Sequence, residues 1–363
     1  MNKEKTLSII IPTYNMEKYL RKCLDSLIVS DENMQRLEVL VVNDGSKDSS
    51  SKIAHEYETK YPQTFRVVDK ENGNYGSCIN RGLKEAKGMY VKVLDADDFF
   101  SADILDIYIG YLNQCDTDLV ISDFNVVDEF GICLSEFTFN LPVDHSFKLQ
   151  DIPSSMNTKL LHHSIAYKRE VFCNFNYKQT EGISYTDDEW IFKPMMWVKD
   201  VDYFPHTLYF YLRGREGQTF DPKVIACTLE QRVTVAKEMT DFFEDSISSC
   251  RTENKLFVTE KLVLRLKTVY YYHLIKYANG ENMKRIMGFD EYLLKKSPLI
   301  YEKLNQVSDK VGLHYIKQWR KCNYSKFTPA LLFRKVTRYI DGKMKTKDVV
   351  VDRMPNELKR KLL

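Results

Sequence analysis

The chain has 363 residues, 44% hydrophobic and 29% charged, with 14 Gly and 10 Pro. That composition excludes a disordered or collagen-like protein and suits two domains, or one large domain with an extension. Its eight cysteines form no CxxC pair and no run reaches the roughly 18 apolar residues of a membrane span, so reduced thiols in a cytosolic protein are expected. The net charge of +2 is unevenly spread: residues 313–363 hold 14 Lys+Arg against 4 Asp+Glu, net +10, leaving 39 against 47, net −8, for residues 1–312.

Leu7 to Pro12 (LSIIIP) is a continuous apolar run that suits a strand covered on both faces. Asn15 is placed to cap a helix carrying Leu20, Leu24, Leu27 and Ile28 on one side. LEVLVVND (Leu37 to Asp44) repeats the strand pattern and leads through GSKDSSS into a helical pattern with Ile53, Tyr57 and Tyr61. FRVVD (Phe65 to Asp69) is a third strand, followed by the loop ENGNYG and a helix from about Ser77 to Ala86. MYVKVLD (Met89 to Asp95) is a fourth strand, Ile104 to Leu112 a helix, and DLVISD (Asp118 to Asp123) a fifth strand. Strands alternating with helices imply right-handed crossovers and a mostly parallel, Rossmann-like sheet. Ligands of such sheets bind beyond the carboxyl ends of the strands, where Asp44, Asp69 and Asp95 fall. Residues 125–220 are irregular, with aromatic clusters and strand-like pieces such as His206 to Arg213. Beyond Pro222 the pattern is helical, with Leu262, Leu266, Val269, Tyr270 and His273 near 3.6 spacing in a helix expected from Phe257 to Tyr277.

The fourth strand ends in VKVLDADDFF, which crowds Asp95, Asp97 and Asp98 into four residues. Such carboxylates repel and raise one another's pKa unless a cation or a set of donors sits among them. Residues two apart in an extended strand project to the same side, so Asp95 and Asp97 together can hold one hard divalent cation, Mg2+ or Mn2+, with substrate oxygens completing the shell. The alternative is a turn in which Asp97 and Asp98 cap the next helix.

The stretches SIIIPTYNMEKYLRKCLDSL, VLVVNDGSKDSS and NGNYGSCINRGLKEAKGMYVKVLDADD, and more loosely the region to GREGQT, resemble the family 2 glycosyltransferases, which have the GT-A fold and transfer sugars from nucleotide-sugar donors with inversion. The resemblance covers about residues 5–220. It implies a GT-A domain over 1–220, with 1–98 binding the nucleotide sugar and 99–220 on the acceptor side, followed by a helical region over 221–363. It places Pro12, Thr13, Tyr14 and Asn15 along the nucleotide and pairs Asp44 with the uracil. Gly73 and Gly76 then allow close approach to the diphosphate, Asp95 and Ala96 lie near the ribose and metal, and Asp97 is the principal metal ligand. Asp44 has an alternative as an Asp-Gly turn, and GNYG as a plain loop. The family's Glu-Asp pair, which supplies the base, is replaced here by ISYTDDEWIF. Asp187 is favoured because Trp190 then takes the place of the family's aromatic, with Asp188 the runner-up; the acids at 187–189 are otherwise a helix start with favourable dipole contacts. Arg213 and Arg215, in YLRGREGQT, can meet diphosphate oxygens or remain solvated. His162 and His163 line the acceptor site or belong to the core or surface. The QxxRW signature of processive relatives is missing, so single-sugar addition is expected.

Thr328 to Lys347 places Leu332, Val336, Tyr339 and Ile340 on one side and Arg334, Lys335, Arg338 and Lys345 elsewhere. That suits a helix lying on an anionic membrane surface, on the inner face of the cell membrane, or one packed on the protein itself. No nucleic-acid fold accompanies the basic end. The sequence thus predicts a metal-dependent inverting glycosyltransferase moving sugar from a UDP-sugar to a lipid-linked or polysaccharide acceptor in bacterial surface polysaccharide synthesis. The alternatives are a nucleotidyltransferase that makes the nucleotide sugar, or a non-catalytic glycan- or transferase-binding protein of the same fold.

Overall fold

A computed structural model describes residues 5–215, 218–219, 221–309 and 312–324, so the basic segment 328–347 lies outside the described residues. The chain divides into two compact units, residues 1–265 and 266–363.

The first unit is built on a mixed sheet. β1 (Leu7–Thr13), β2 (Leu37–Asn43), β3 (Phe65–Asp69) and β4 (Tyr90–Val93) pair in parallel in the order β3-β2-β1-β4. The crossovers contain α1 (Leu20–Asp25), α2 (Asp31–Arg36), α3 (Ser50–Lys60) and α4 (Asn74–Glu85). Ile9, Ile10, Ile11, Val39, Leu40 and Val41 are fully buried, as the unbroken apolar runs predict for strands covered on both faces. Asn15 does not cap the first helix. Tyr19 occupies that position, while Asn15 takes a left-handed backbone (φ 54°) and its side chain accepts from the Lys47 amide at 2.7 Å. The asparagine ties the loop after β1 to the loop after β2, because its short amide tolerates that conformation and bonds locally.

The second half of the sheet is mixed. After β5 (Phe99–Phe100) and α5 (Ala102–Leu112) come β6 (Leu119–Val127), β7 (Cys133–Phe137), β8 (Ile165–Lys168), α6 (Asp187–Phe192) and β9 (Val201–Leu212). β8 enters between β4 and β6 and is antiparallel to both, whereas β6 and β9 are parallel. β5 pairs antiparallel with β9, and β7 lies antiparallel on β6. Inserting β8 therefore brings the turn before it, residues 162–164, to the end of β4 that carries Asp95. The unit continues through α7 (Pro222–Cys227) and α8 (Leu229–Ser246) into α9 (Lys255–Tyr271), within which the boundary falls.

In the second unit, a π turn (Tyr272–Lys276), α10 (Gly280–Lys296), α11 (Pro298–Leu304) and α12 (Tyr315–Lys321) surround Trp319, Tyr270, Leu293 and Ile300, all fully buried. Here Asp290, with no exposure, accepts from Tyr270 and from Arg320. None of the eight cysteines is disulfide-bonded. No helix among the described residues is long and apolar enough to cross a membrane.

Candidate active site

Asp44, the residue after β2, is 3% exposed. Its Oδ1 accepts from the Lys70 ammonium at 2.5 Å and the Gly73 amide at 2.9 Å, and its Oδ2 from the Asn74 amide at 2.8 Å. The side chain of Asn72 also donates to its carbonyl. A carboxylate offers about four lone-pair directions, so one remains for a ligand. Tyr14, at 45% exposure, is open beside this loop, while Thr13 is buried and Pro12 lies within β1, paired with Val42. Gly73 precedes α4. Gly76 lies inside α4 and is buried, and a Cβ there would come within 1.9 Å of the Thr180 carbonyl. Its missing side chain therefore serves packing of α4 on the 180 loop.

The acidic stretch beyond β4 finds three different partnerships. Asp95 accepts from the Tyr75 hydroxyl at 3.1 Å and lies 3.1 Å from His162 Nε2. Burial works against its ionisation, but the charge and hydrogen bond of His162 outweigh it and hold the carboxyl below its ordinary value. Asp97 is 10% exposed and meets Arg215 Nε at 2.5 Å; burial raises its pKa despite that arginine. Asp98 is 1% exposed and accepts from the Tyr209 hydroxyl at 2.5 Å and the Leu212 amide at 2.7 Å. Burial, with Asp97 and Asp95 beside it, drives its pKa well above the usual carboxylate range. Asp98 thus pins β9 to this corner, and Ala96 between them is buried. Asp95 and Asp97 are the two of the three that keep some exposure.

The acids of α6 separate just as clearly. Glu189 is fully buried and accepts from the Thr180 amide and hydroxyl and from Lys193 at 2.7 Å, so its role is to hold the 180 loop. Asp188 pairs with Arg265 at 2.8 Å; burial raises its carboxyl, offset in part by that guanidinium. Asp187 is the most open, with 37% of its side chain exposed, and its Oδ2 lies 3.8 Å from His162 Nδ1.

His162 is therefore the residue that joins the two acidic groups, through opposite ring nitrogens. It is 6% exposed; burial disfavours its charged form, but Asp95 and Asp187 overcome this and raise its pKa. His163 is stacked on Tyr211 at 4.6 Å, and burial, with His162 and Lys92 nearby, drives its pKa well down. Asp95 and Asp187 thus lie on either side of His162, and Arg215 reaches Asp97 across 118 positions of sequence. The bridging place of His162 was not legible: the only signal is a histidine doublet just before a short apolar run. Lys70, Tyr75 and Arg265 carried no signal at all, because their roles depend on contacts set by the fold.

Residues 8–131 match the Glycosyl transferase family 2 profile. An uncharacterized glycosyltransferase of Mycoplasma genitalium, MG060, is 27% identical over 241 residues, 65% of this chain and 78% of its own. The minor teichoic acid biosynthesis protein GgaB of Bacillus subtilis is 36% identical over 107 residues, 30% of this chain but 12% of its own. The chain spans about a third of the length of several other relatives it matches. Among solved structures, TarS residues 1–349 of S. aureus, in complex with UDP-GlcNAc, superposes with a TM-score of 0.65 at 18% identity, covering 88% of this chain and 92% of that one. That likeness extends the GT-A-type fold well beyond the matched segment. With the strand-end carboxylates and α6 acids gathered on that fold, residues 8–131 carry the match to glycosyl transferase family 2, and the chain is similar to glycosyltransferases beyond it.

Proposed function

We propose that the chain is an inverting transferase that uses a divalent cation and a UDP-sugar and delivers the sugar to a hydroxyl of a lipid-linked or polysaccharide acceptor. What carries this reading is the pair of distances from one histidine, 3.1 Å to Asp95 and 3.8 Å to Asp187, which brings the donor-side acids within one side chain of an open carboxylate. The UDP-GlcNAc complex of TarS and the teichoic acid role in the name of GgaB favour a UDP-sugar and a surface-polymer acceptor.

In this reading Asp187 is the base. It takes the proton of the acceptor hydroxyl while that oxygen bonds to the anomeric carbon; the carbon's bond to the diphosphate oxygen breaks, UDP leaves with the electron pair, and configuration inverts. Asp188 suits the task less, since Arg265 already engages it. Asp44, preset by Lys70, Gly73 and Asn74, takes the imide N–H of the uracil on its remaining lone pair, with Pro12, Thr13, Tyr14 and Asn15 alongside.

A divalent cation fits Asp97 and Asp95. Their oxygens are hard donors, and among the described pairs Asp97 has Arg215 as its ion-pair partner while three acids share this corner. Such an ion supplies charge neutralisation for the diphosphate. Arg215 exchanges its contact with Asp97 for diphosphate oxygens when the donor enters, a fork geometry suited to phosphate. Calorimetry of UDP with Mn2+ and with EDTA tests the cation role. UDP affinity should fall in EDTA, and Asp97→Ala should abolish that dependence; affinity indifferent to both overturns the assignment. UDP release that depends on added acceptor tests the transfer itself.

A further inference from the structure

Two buried histidines lie beside the acid pair just described. His162 and His163 are 6% and 4% exposed, yet among the described residues neither ring nitrogen of His163 has a hydrogen-bond partner. A buried polar atom left without a partner costs about 1–3 kcal/mol, and such orphans call for an explanation, a bound ion being one. One donor atom from each of Asp95, His162 and His163 lies within 4.8 Å of the others. Nε2 of His162 and Oδ2 of Asp95 are 3.1 Å apart, a spacing that neighbouring ligands of one ion adopt as readily as a hydrogen-bonded pair does.

We propose that Asp95, His162 and His163 form a site for a borderline transition-metal ion that binds without nucleotide. Two imidazoles and one carboxylate favour Zn2+, Co2+ or Ni2+ over Mg2+, which prefers an all-oxygen shell. The surroundings fit. A metal-bound histidine commonly turns its other ring nitrogen to a carboxylate, which orients the ring, and Nδ1 of His162 faces Asp187 at 3.8 Å. The second oxygen of Asp95 is held by the Tyr75 hydroxyl, and His163 is fixed by stacking on Tyr211. The nearby cation Lys92 turns its ammonium to the main-chain carbonyls of His163 and Ile165. The inference goes beyond the donor-cation reading, since it requires neither nucleotide nor Asp97. An ion here would fix the ring that faces the proposed base before any substrate arrives.

The test is titration of the EDTA-treated full chain with Co2+ in the absence of UDP, followed by the visible bands of the bound ion. One equivalent is expected, and His162→Asn and His163→Gln should each weaken it by at least about tenfold, the loss that even outer-shell changes produce at metal sites. Asp97→Asn should leave binding and spectrum unchanged. The Cu2+-loaded wild-type protein should show nitrogen hyperfine coupling from two imidazoles, a readout that does not depend on a variant folding. Absence of Co2+ binding without UDP, or of nitrogen coupling, overturns the inference. So does binding lost in Asp97→Asn but kept in both histidine variants, a result that would leave the donor-cation reading standing.

Discussion

Two buried charge clusters, one in each unit, are built on opposite terms. In the second unit all five N–H bonds of Arg320 have acceptors: Asp290 takes Nε and one hydrogen of Nη2, the Tyr270 hydroxyl the other, and the Tyr301 carbonyl and Asn305 side chain take those of Nη1. The Tyr324 hydroxyl also donates to Asp290 at 3.0 Å. In the first unit, Asp95 and Asp187 share His162, Asp97 meets Arg215, Asp98 has only a hydroxyl and an amide as hydrogen-bond donors, and among the described residues the ring nitrogens of His163 have no hydrogen-bond partner. A closed network of this kind has nothing left to offer a ligand and serves the fold. An incomplete one keeps its electrostatic cost in the empty protein and recovers it when a ligand enters, as functional sites do.

The largest effect that separates the two is kinetic. Asp187→Asn should lower the single-turnover transfer rate at saturating donor by about 100- to 10,000-fold, the usual contribution of a general base, while UDP binding and thermal stability persist. Asp188→Asn should be milder. Rapid-quench measurement of both variants decides it, and a defect confined to Asp188 would move the base by one position.

Arg320→Met should do the reverse. It leaves Asp290 buried and uncompensated, which costs about 3–5 kcal/mol of stability, read by urea denaturation, with little change in the rate of molecules that remain folded. A small stability loss would mean that the second cluster is as open as the first.

The smallest effect sharpens the picture of the incomplete cluster. Lys92 is fully buried, and burial lowers its pKa to about 7. The unfolded chain keeps that proton to about pH 10.4, so between these values it binds more protons than the folded chain and stability rises with pH. One such residue contributes on the order of 1.4 kcal/mol per pH unit. Denaturation at pH 7, 8 and 9 should show a steeper rise in the wild type than in Lys92→Met, the remainder coming from Lys261, whose pKa burial likewise lowers to about 7. Equal slopes would mean that Lys92 stays charged in the fold.

Much of the first half of the sheet was readable because its signals are local. The apolar runs of β1 to β3 and the acids at the ends of β2 and β4 need only periodicity and the rule that parallel sheets bind at their carboxyl ends. The later half resisted for a physical reason. β8 is four residues long and enters the middle of the sheet antiparallel, so neither its length nor an alternation of polarity marks it, yet it carries in the turn that holds His162. The same limit hid the pairing of Asp97 with Arg215 and of Asp188 with Arg265, which chain crossings create. Asn15 misled because asparagine serves equally as a helix cap and as a left-handed loop residue.

Gly76 has one further consequence. The Thr180 carbonyl that its bare Cα accommodates belongs to a residue whose amide and hydroxyl are both clamped by Glu189, two positions beyond Asp187. The helix that opens beside Asp44 and the helix that presents Asp187 are thus machined against each other with a clearance smaller than a methyl group. An alanine at position 76 would meet the Thr180 carbonyl first, and the displacement it forces there would pass through Glu189 to the helix that presents Asp187, so the placing of that carboxylate rests partly on a side chain that is not there.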